Sequence, residues 1–273
     1  MQKRRASTHR FITADIKSAW PFLLSGLVLV LLLGLPILAL LLRAGKEDFL
    51  TYALSDMSLA ALRLSLVTSL ISVTISTVVG TPIAYILARW DFPGRNALEL
   101  LIDLPVMLPP SVAGLALLIA FGRQGYFGSW LALFGISLPF TTTAVVMAQT
   151  FVSAPLFVRA ARIGFAGIDP QLEEAAHVEG ANQMQMFNHV MLPLTGRALI
   201  SGAILAWTRA LGEFGATILF AGNLKGVTQT MPLAIYLGFE RNLDVAVILS
   251  VVLVLISLLM LTVMKTMDGI KIY

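Results

Sequence analysis

Asp169-Pro-Gln-Leu-Glu-Glu-Ala-Ala-His-Val-Glu-Gly-Ala-Asn182, running on to Leu192-Pro193, is the longest polar interlude in a chain otherwise built of apolar runs. Its local signals predict two short helices. Asp169 suits a helix start, where its carboxylate can accept from unpaired backbone N–H groups, and Pro170 fits the first helical position, which needs no N–H. Gly180 can take the left-handed conformation that closes such a helix. Asn182 is placed to cap the next one, in which Met184, Phe187, Met191 and Leu194 recur at helical spacing. The first helix then presents Glu173, Glu174, His177 and Glu179.

Composition sets the surroundings of this stretch. Of 273 residues, 58% are hydrophobic and 12% charged, with a mean hydropathy of +0.86. Soluble domains carry roughly 25% charged residues, so this chain lacks the polar surface to stay in water. It reads as an all-α integral membrane protein. Cysteine is absent, which excludes disulfides and thiolate sites. His9, His177 and His189 all fall in polar segments, which argues against a histidine-based active site within the membrane. No metal site and no nucleic-acid contact are expected, because loop topology accounts for the net charge of +4.

Six apolar runs are long enough to span, at about 20–42, 59–88, 104–121, 141–158, 198–220 and 245–264, given roughly 20 residues per crossing. They make one transmembrane domain over 1–273, with a polar loop at 159–197. On the second run Ser65, Ser69, Ser72, Ser76 and Gly80 share one face. Small residues let membrane helices approach closely, so packing is the plainer reading, with a polar pathway as the alternative. The third run opens with Pro105, Pro109, Pro110 and Ser111. Three prolines cannot all sit in a regular helix. Either the span is broken beside protein or a watery cavity, or it begins after the prolines. Gly122–Pro139, with Tyr126, Phe127, Trp130 and Phe134, is too short to span and suits the membrane–water interface. Twelve of the 19 Lys and Arg residues fall on the side of both termini and of the organising loop, and six on the other. The positive-inside rule therefore predicts cytoplasmic termini and a cytoplasmic loop.

The fifth run contains Arg209 and Glu213, predicted to lie four residues apart on one helix face. Two such charges cost about 6 kcal/mol on an insertion scale, and the nine Leu, Ile and Phe residues of 199–220 return about 3–5. The helix should face a bundle interior or a cavity, either as a self-neutralising structural pair or as part of a pathway. No Gly-x4-Gly-Lys-Ser/Thr phosphate loop occurs, so this chain cannot hydrolyse ATP by itself.

Glu174-Ala175-Ala176, Gly180 and Leu192-Pro193 resemble the cytoplasmic "EAA" loop of ABC importer permeases. A narrower resemblance is to the membrane subunit of molybdate importers. It rests on Arg209-Ala-Leu-Gly-Glu-Phe-Gly-Ala-Thr217, Ala221-Gly-Asn223 and Thr228–Tyr236, and on Leu104–Gly114 and Gly122-Arg-Gln-Gly125. Tungstate and sulfate permeases share much of this pattern. The resemblance implies a type I importer permease fold in which Asp169, Glu173, Glu174, Ala175, Ala176 and Gly180 couple to an ATPase. Ala175 and Ala176 would let that protein approach the backbone closely. Pro109, Pro110, Ser111, Arg209, Glu213 and Thr217 would line or gate the pathway. It also implies a second copy of the chain, two cytoplasmic ATPase subunits carrying ATP and Mg, and an extracytoplasmic oxyanion-binding protein; no cofactor is expected on this chain. An ion-coupled secondary transporter would more often show internal repeats and acidic residues in several spans.

Overall fold

The computed structural model describes residues 20–45 and 48–269. The basic residues of 1–19, with Lys46 and Lys271, lie outside the described residues. The chain divides into two compact units, Met1–Glu47 and Asp48–Tyr273. The first contains α1 (Trp20–Ala44), whose 22 residues Leu23–Ala44 have a mean hydropathy of 2.8 and suffice for a crossing.

The second unit carries α2 (Phe49–Ala53), α3 (Asp56–Arg89), α4 (Arg95–Met107), α5 (Pro110–Phe121), α6 (Gly128–Ala132) and α7 (Thr142–Ala166). After these come α8 (Pro170–Val178), α9 (Gln183–Met186), a π-turn at Phe187–Met191, α10 (Leu192–Leu211), α11 (Gly215–Phe220), α12 (Met231–Arg241) and α13 (Leu243–Gly269). No strand occurs among the described residues. Among the described residues, five helices are long and apolar enough to cross a membrane: α1, α3, α7, α13 and the continuous helical run Gln183–Leu211. The pair α4 and α5 makes a sixth crossing if its two arms count as one span.

That pair corrects the reading of 104–121 as a single run. The chain bends by 116° between its two arms. Leu108 and Pro109 are extended, at ψ 137° and 138°. A proline has no N–H to continue the helix and pushes the residue before it towards extended backbone, so Pro109-Pro110 forces the corner. Pro110 then starts α5, and Pro105 is tolerated within α4.

α3, α7 and α10 form the centre of this unit. Ser72 Oγ meets Thr150 Oγ1 at 2.9 Å, and eight residues on Gly80 lies against Phe157 and Val158, so α3 and α7 run in the same direction. Gly164 faces Thr195 and Ala198 while Gly202 faces Ala160 and Phe157, so α10 runs the opposite way. All five residues of the small-residue stripe are buried. Trp207 Nε1 donates to Ser69 Oγ at 2.8 Å, and Ser65 Oγ accepts from Met231 N at 2.7 Å. Packing, rather than a water-lined face, is what this stripe does.

Several boundaries differ from the sequence reading. The fourth span continues from 158 to Ala166, so Arg159 and Arg162 stand on a helix and not in a loop. They pair across to α4: Arg159 with Asp103 at 2.9 Å and Arg162 with Glu99 at 2.6 Å. The fifth helix begins at Gln183, not 198. Its π-turn inserts one residue and shifts the facing register. Of the four residues at helical spacing, Met191 is buried and Phe187 packs on the core, while Met184 and Leu194 are exposed and Met186 takes an inward place. The same helix stops at Leu211 and does not run to 220, because Gly212-Glu213-Phe214 interrupts it. α12 lies between the fifth and sixth apolar runs.

Candidate functional site

The polar stretch folds as its residue types dictate. Asp169 caps α8 by accepting from Gln171 N at 3.0 Å. At the other end Gly180 has φ +85°, Gly180 N donates to His177 O and Ala181 N donates to Ala176 O. These two bonds are the Schellman closure, which satisfies carbonyls that a helix end leaves unpaired. Asn182 caps α9 reciprocally with Gln185, each side chain accepting from the other's backbone N–H at 2.9 Å. The Asn-x-x-Gln spacing carried that signal.

α8 has two faces. Behind it, Glu173 pairs with Arg89 Nε at 2.8 Å, and Arg89 Nη2 donates to Ile168 O at 2.7 Å. Ala176 packs on the core that contains Tyr85, Phe165 and Phe187, whose ring centroids lie 5.0–6.2 Å apart. So α8 is tied to the last turn of α3 and to the end of α7. Outward, Glu174, Ala175 and Leu172 are exposed, and Val178 is 87% exposed. Of the expected coupling residues, Glu173 therefore faces its own chain and Glu174 and Ala175 face away. Arg89, which anchors the loop, was not singled out in the sequence, since its partner lies 84 positions on.

The second polar region lies at the break after α10. About 30 Å of helix, at 1.5 Å per residue over α10, separates it from the first. Glu213 is 1% exposed and sits beyond the helix end, so the expected shared helix face is corrected to a contact across a break. One carboxylate oxygen takes Arg209 Nη1 at 2.6 Å, and the other accepts from Ala216 N at 2.8 Å. A single carboxylate thus neutralises the arginine and satisfies a free N–H at the start of α11. Next to it, Gly215 packs on Pro110: a Cβ there would come within 2.5 Å of Pro110 Cβ. Gly114 likewise lies against Ala216 and Leu219, so α5 and α11 touch backbone to backbone. The structure brings Pro110, Glu213 and Arg209 into one region. Ser111 and Pro109 are exposed at the corner, and Thr217 is fully buried in α11. The close approach of Gly114 and Gly215 was missed in the sequence, where single glycines in apolar runs give little sign of what they touch. Among the described residues no cluster of His, Asp or Glu could hold a metal.

An all-helical membrane protein with an exposed short helix anchored at one end, and a charged break between its spans, has the build of a transporter's membrane subunit. Residues 80–269 match the family of binding-protein-dependent transport system inner membrane components, and the chain belongs to that family. It is 40% identical over 242 residues to the molybdenum transport system permease protein ModB of Mycobacterium tuberculosis, covering 88% of this chain and 90% of that one. It is 35% identical over 264 residues to the probable sulfate transport system permease protein cysT of Chlorokybus atmophyticus, covering 95% and 92%. In fold it is similar to a chain of a bacterial ABC transporter that imports the polysaccharide alginate, with a TM-score of 0.75 at 17% identity over 94% of this chain and 98% of that one. The chain is a permease subunit of an inner-membrane transport system and not its ATPase.

Proposed function

We propose that this chain is the permease of an ATP-driven importer that carries molybdate or tungstate across the plasma membrane. Two copies would assemble with two ATPase subunits, which bind ATP and Mg, and with an extracytoplasmic oxyanion-binding protein. The termini and α8 would lie in the cytoplasm, and the whole chain would act as one transmembrane domain. The observation that carries the coupling role is the two-faced α8, fixed from behind by Arg89–Glu173 and offering Glu174, Ala175 and Val178 outward. A helix held this rigidly passes a push from a docked ATPase to α3 and α7. The break at Gly212–Phe214, clamped by Arg209 and Glu213 against the Pro109–Pro110–Ser111 corner and next to Thr217, would be the gate that responds. The substrate class rests on the similarity to molybdenum permeases over 88% of the chain. Sulfate is the second reading, favoured by the similarity to a sulfate permease over 95% of the chain.

The test is uptake by the reconstituted complex. Labelled molybdate should accumulate with ATP and the loaded binding protein, and tungstate should compete at least tenfold better than sulfate. Sulfate competing equally would favour the second reading.

A further inference from the structure

At the end of α5 remote from its proline corner, the chain folds back on itself. Gly125 N donates to Gly122 O, Tyr126 N to Ile119 O and Phe127 N to Ala120 O, at 2.8–3.2 Å. Side chains at Gly122, Gly125 or Gly128 would strike backbone oxygens of residues 118–122, so only glycine permits this turn. Beside the turn opens a cleft of about 700 Å³, bounded across the gap by Pro139 and Phe140. A volume in this range is that of a ligand pocket. Arg123, Gln124, Tyr126 and Ser129 line it, and no carboxylate does. Arg123 is the only charged residue between Asp103 and Arg159. Its Nε makes one long bond, 3.3 Å to Ser137 Oγ, and no ion pair joins it among the described residues. Two aromatics line the cleft with it, Tyr126, which is 84% exposed, and Phe140, which is 50% exposed.

We propose that this cleft receives an acidic side chain of the extracytoplasmic binding protein, whose carboxylate pairs with Arg123. The inference rests on the topology proposed above, which puts residues 122–140 outside. Arginine binds a carboxylate through two parallel N–H donors, and Arg and Tyr are among the side chains that dominate protein docking energies. A free oxyanion would meet a single guanidinium in a wide cleft, with nothing to use the aromatic rim. The position also has a consequence. α5 runs from the cleft to Pro110, which touches Gly215 beside the Arg209–Glu213 clamp, so docking here would bear on the break through one rigid helix.

The test measures docking of the molybdate-loaded binding protein to the full complex in nanodiscs. Arg123→Glu should weaken docking at least tenfold at low salt, and Arg123→Lys by less than Arg123→Gln. ATP hydrolysis without binding protein should stay at the wild-type level, and thermal melting of the complex should be unmoved. Docking by Arg123→Glu within twofold of wild type overturns the proposal. In that case a raised KM for molybdate uptake would assign Arg123 to the oxyanion, and loss of retained anionic lipid would assign it to a headgroup. A wild-type complex that docks no binding protein would defeat the importer reading itself.

Discussion

Glu174 and Glu213 are carboxylates in the same chain with opposite fates. Glu174 stands on the outer face of a nine-residue helix. Glu213 is enclosed, with one oxygen on Arg209 and the other on Ala216 N. The first region leaves its polar groups available, and its fixing is done by neighbours that face inward, Glu173 and Ala176. The second consumes its polar groups internally. The difference teaches where each can act: the first by contact with another protein, the second by changing its own conformation. A buried charge that holds a helix break together is expensive to leave half-paired, whereas an exposed one is cheap to change.

The largest effect should therefore come from breaking the clamp. Arg209→Ala leaves Glu213 enclosed with only Ala216 N for a partner. Removing one member of a buried pair costs about 3–5 kcal/mol, and the low end applies because Arg209 is 33% exposed. Arg209→Ala with Glu213→Ala should cost less than Arg209→Ala alone, since no charge is then stranded. Thermal melting of the single and double variants in detergent checks the order. If Arg209→Ala keeps its melting temperature and loses uptake outright, the clamp reading fails and Arg209 becomes a substrate contact.

The other side of the comparison is sharpened on α8. Glu173→Gln removes the charge that pairs with Arg89 and should cost about 1 kcal/mol, the upper end for a partly exposed ion pair. Ala175→Arg, two residues on and on the outer face, should move stability by less than about 0.5 kcal/mol, as exposed substitutions do. Yet it should abolish uptake while ATP hydrolysis by the complex continues, because its bulk holds the partner off the helix. Melting, uptake and hydrolysis measured on both variants separate the two faces. Equal losses of stability would mean that α8 has no free face.

These regions were not equally legible in the sequence. Caps depend on residue types within four positions, so Asp169, Gly180 and Asn182 could be assigned from the chain alone. The apolar runs gave the crossings for a similar reason, since span length is a local property. The break at Gly212–Phe214 was hidden because Leu211-Gly-Glu-Phe-Gly215 continues an apolar pattern, and helical spacing from Arg209 to Glu213 looked sufficient. What stops the helix is tertiary: Gly215 must meet Pro110, and Glu213 must reach Ala216 N. The π-turn at Phe187–Met191 was invisible for the opposite reason, as one inserted residue leaves composition unchanged and moves every later side chain round the helix. Prolines 109 and 110 announced a corner but could not give its angle.

The smallest predicted effect lies inside the clamped region and tests how far its polarity is structural. Thr68, Thr74, Thr81 and Thr208 each return their hydroxyl to the carbonyl four residues earlier, at 2.6–2.9 Å. Thr217 is fully buried, and its Oγ1 has no hydrogen-bond partner among the described residues. The residue four positions before it is Glu213, which lies in the break and not in a helical turn, so the usual carbonyl is not presented. A buried hydroxyl without a partner costs about 1–3 kcal/mol, and a side chain of the same shape without it escapes that cost. Thr217→Val should therefore leave the melting temperature unchanged or raise stability by about 1 kcal/mol, with uptake within twofold of wild type. Thr208→Val, which removes a made bond on the adjoining helix, should be the less stable of the two. If Thr217→Val melts normally and uptake falls tenfold, the hydroxyl serves the passing anion, and the break belongs to the pathway as well as to the proposed gate.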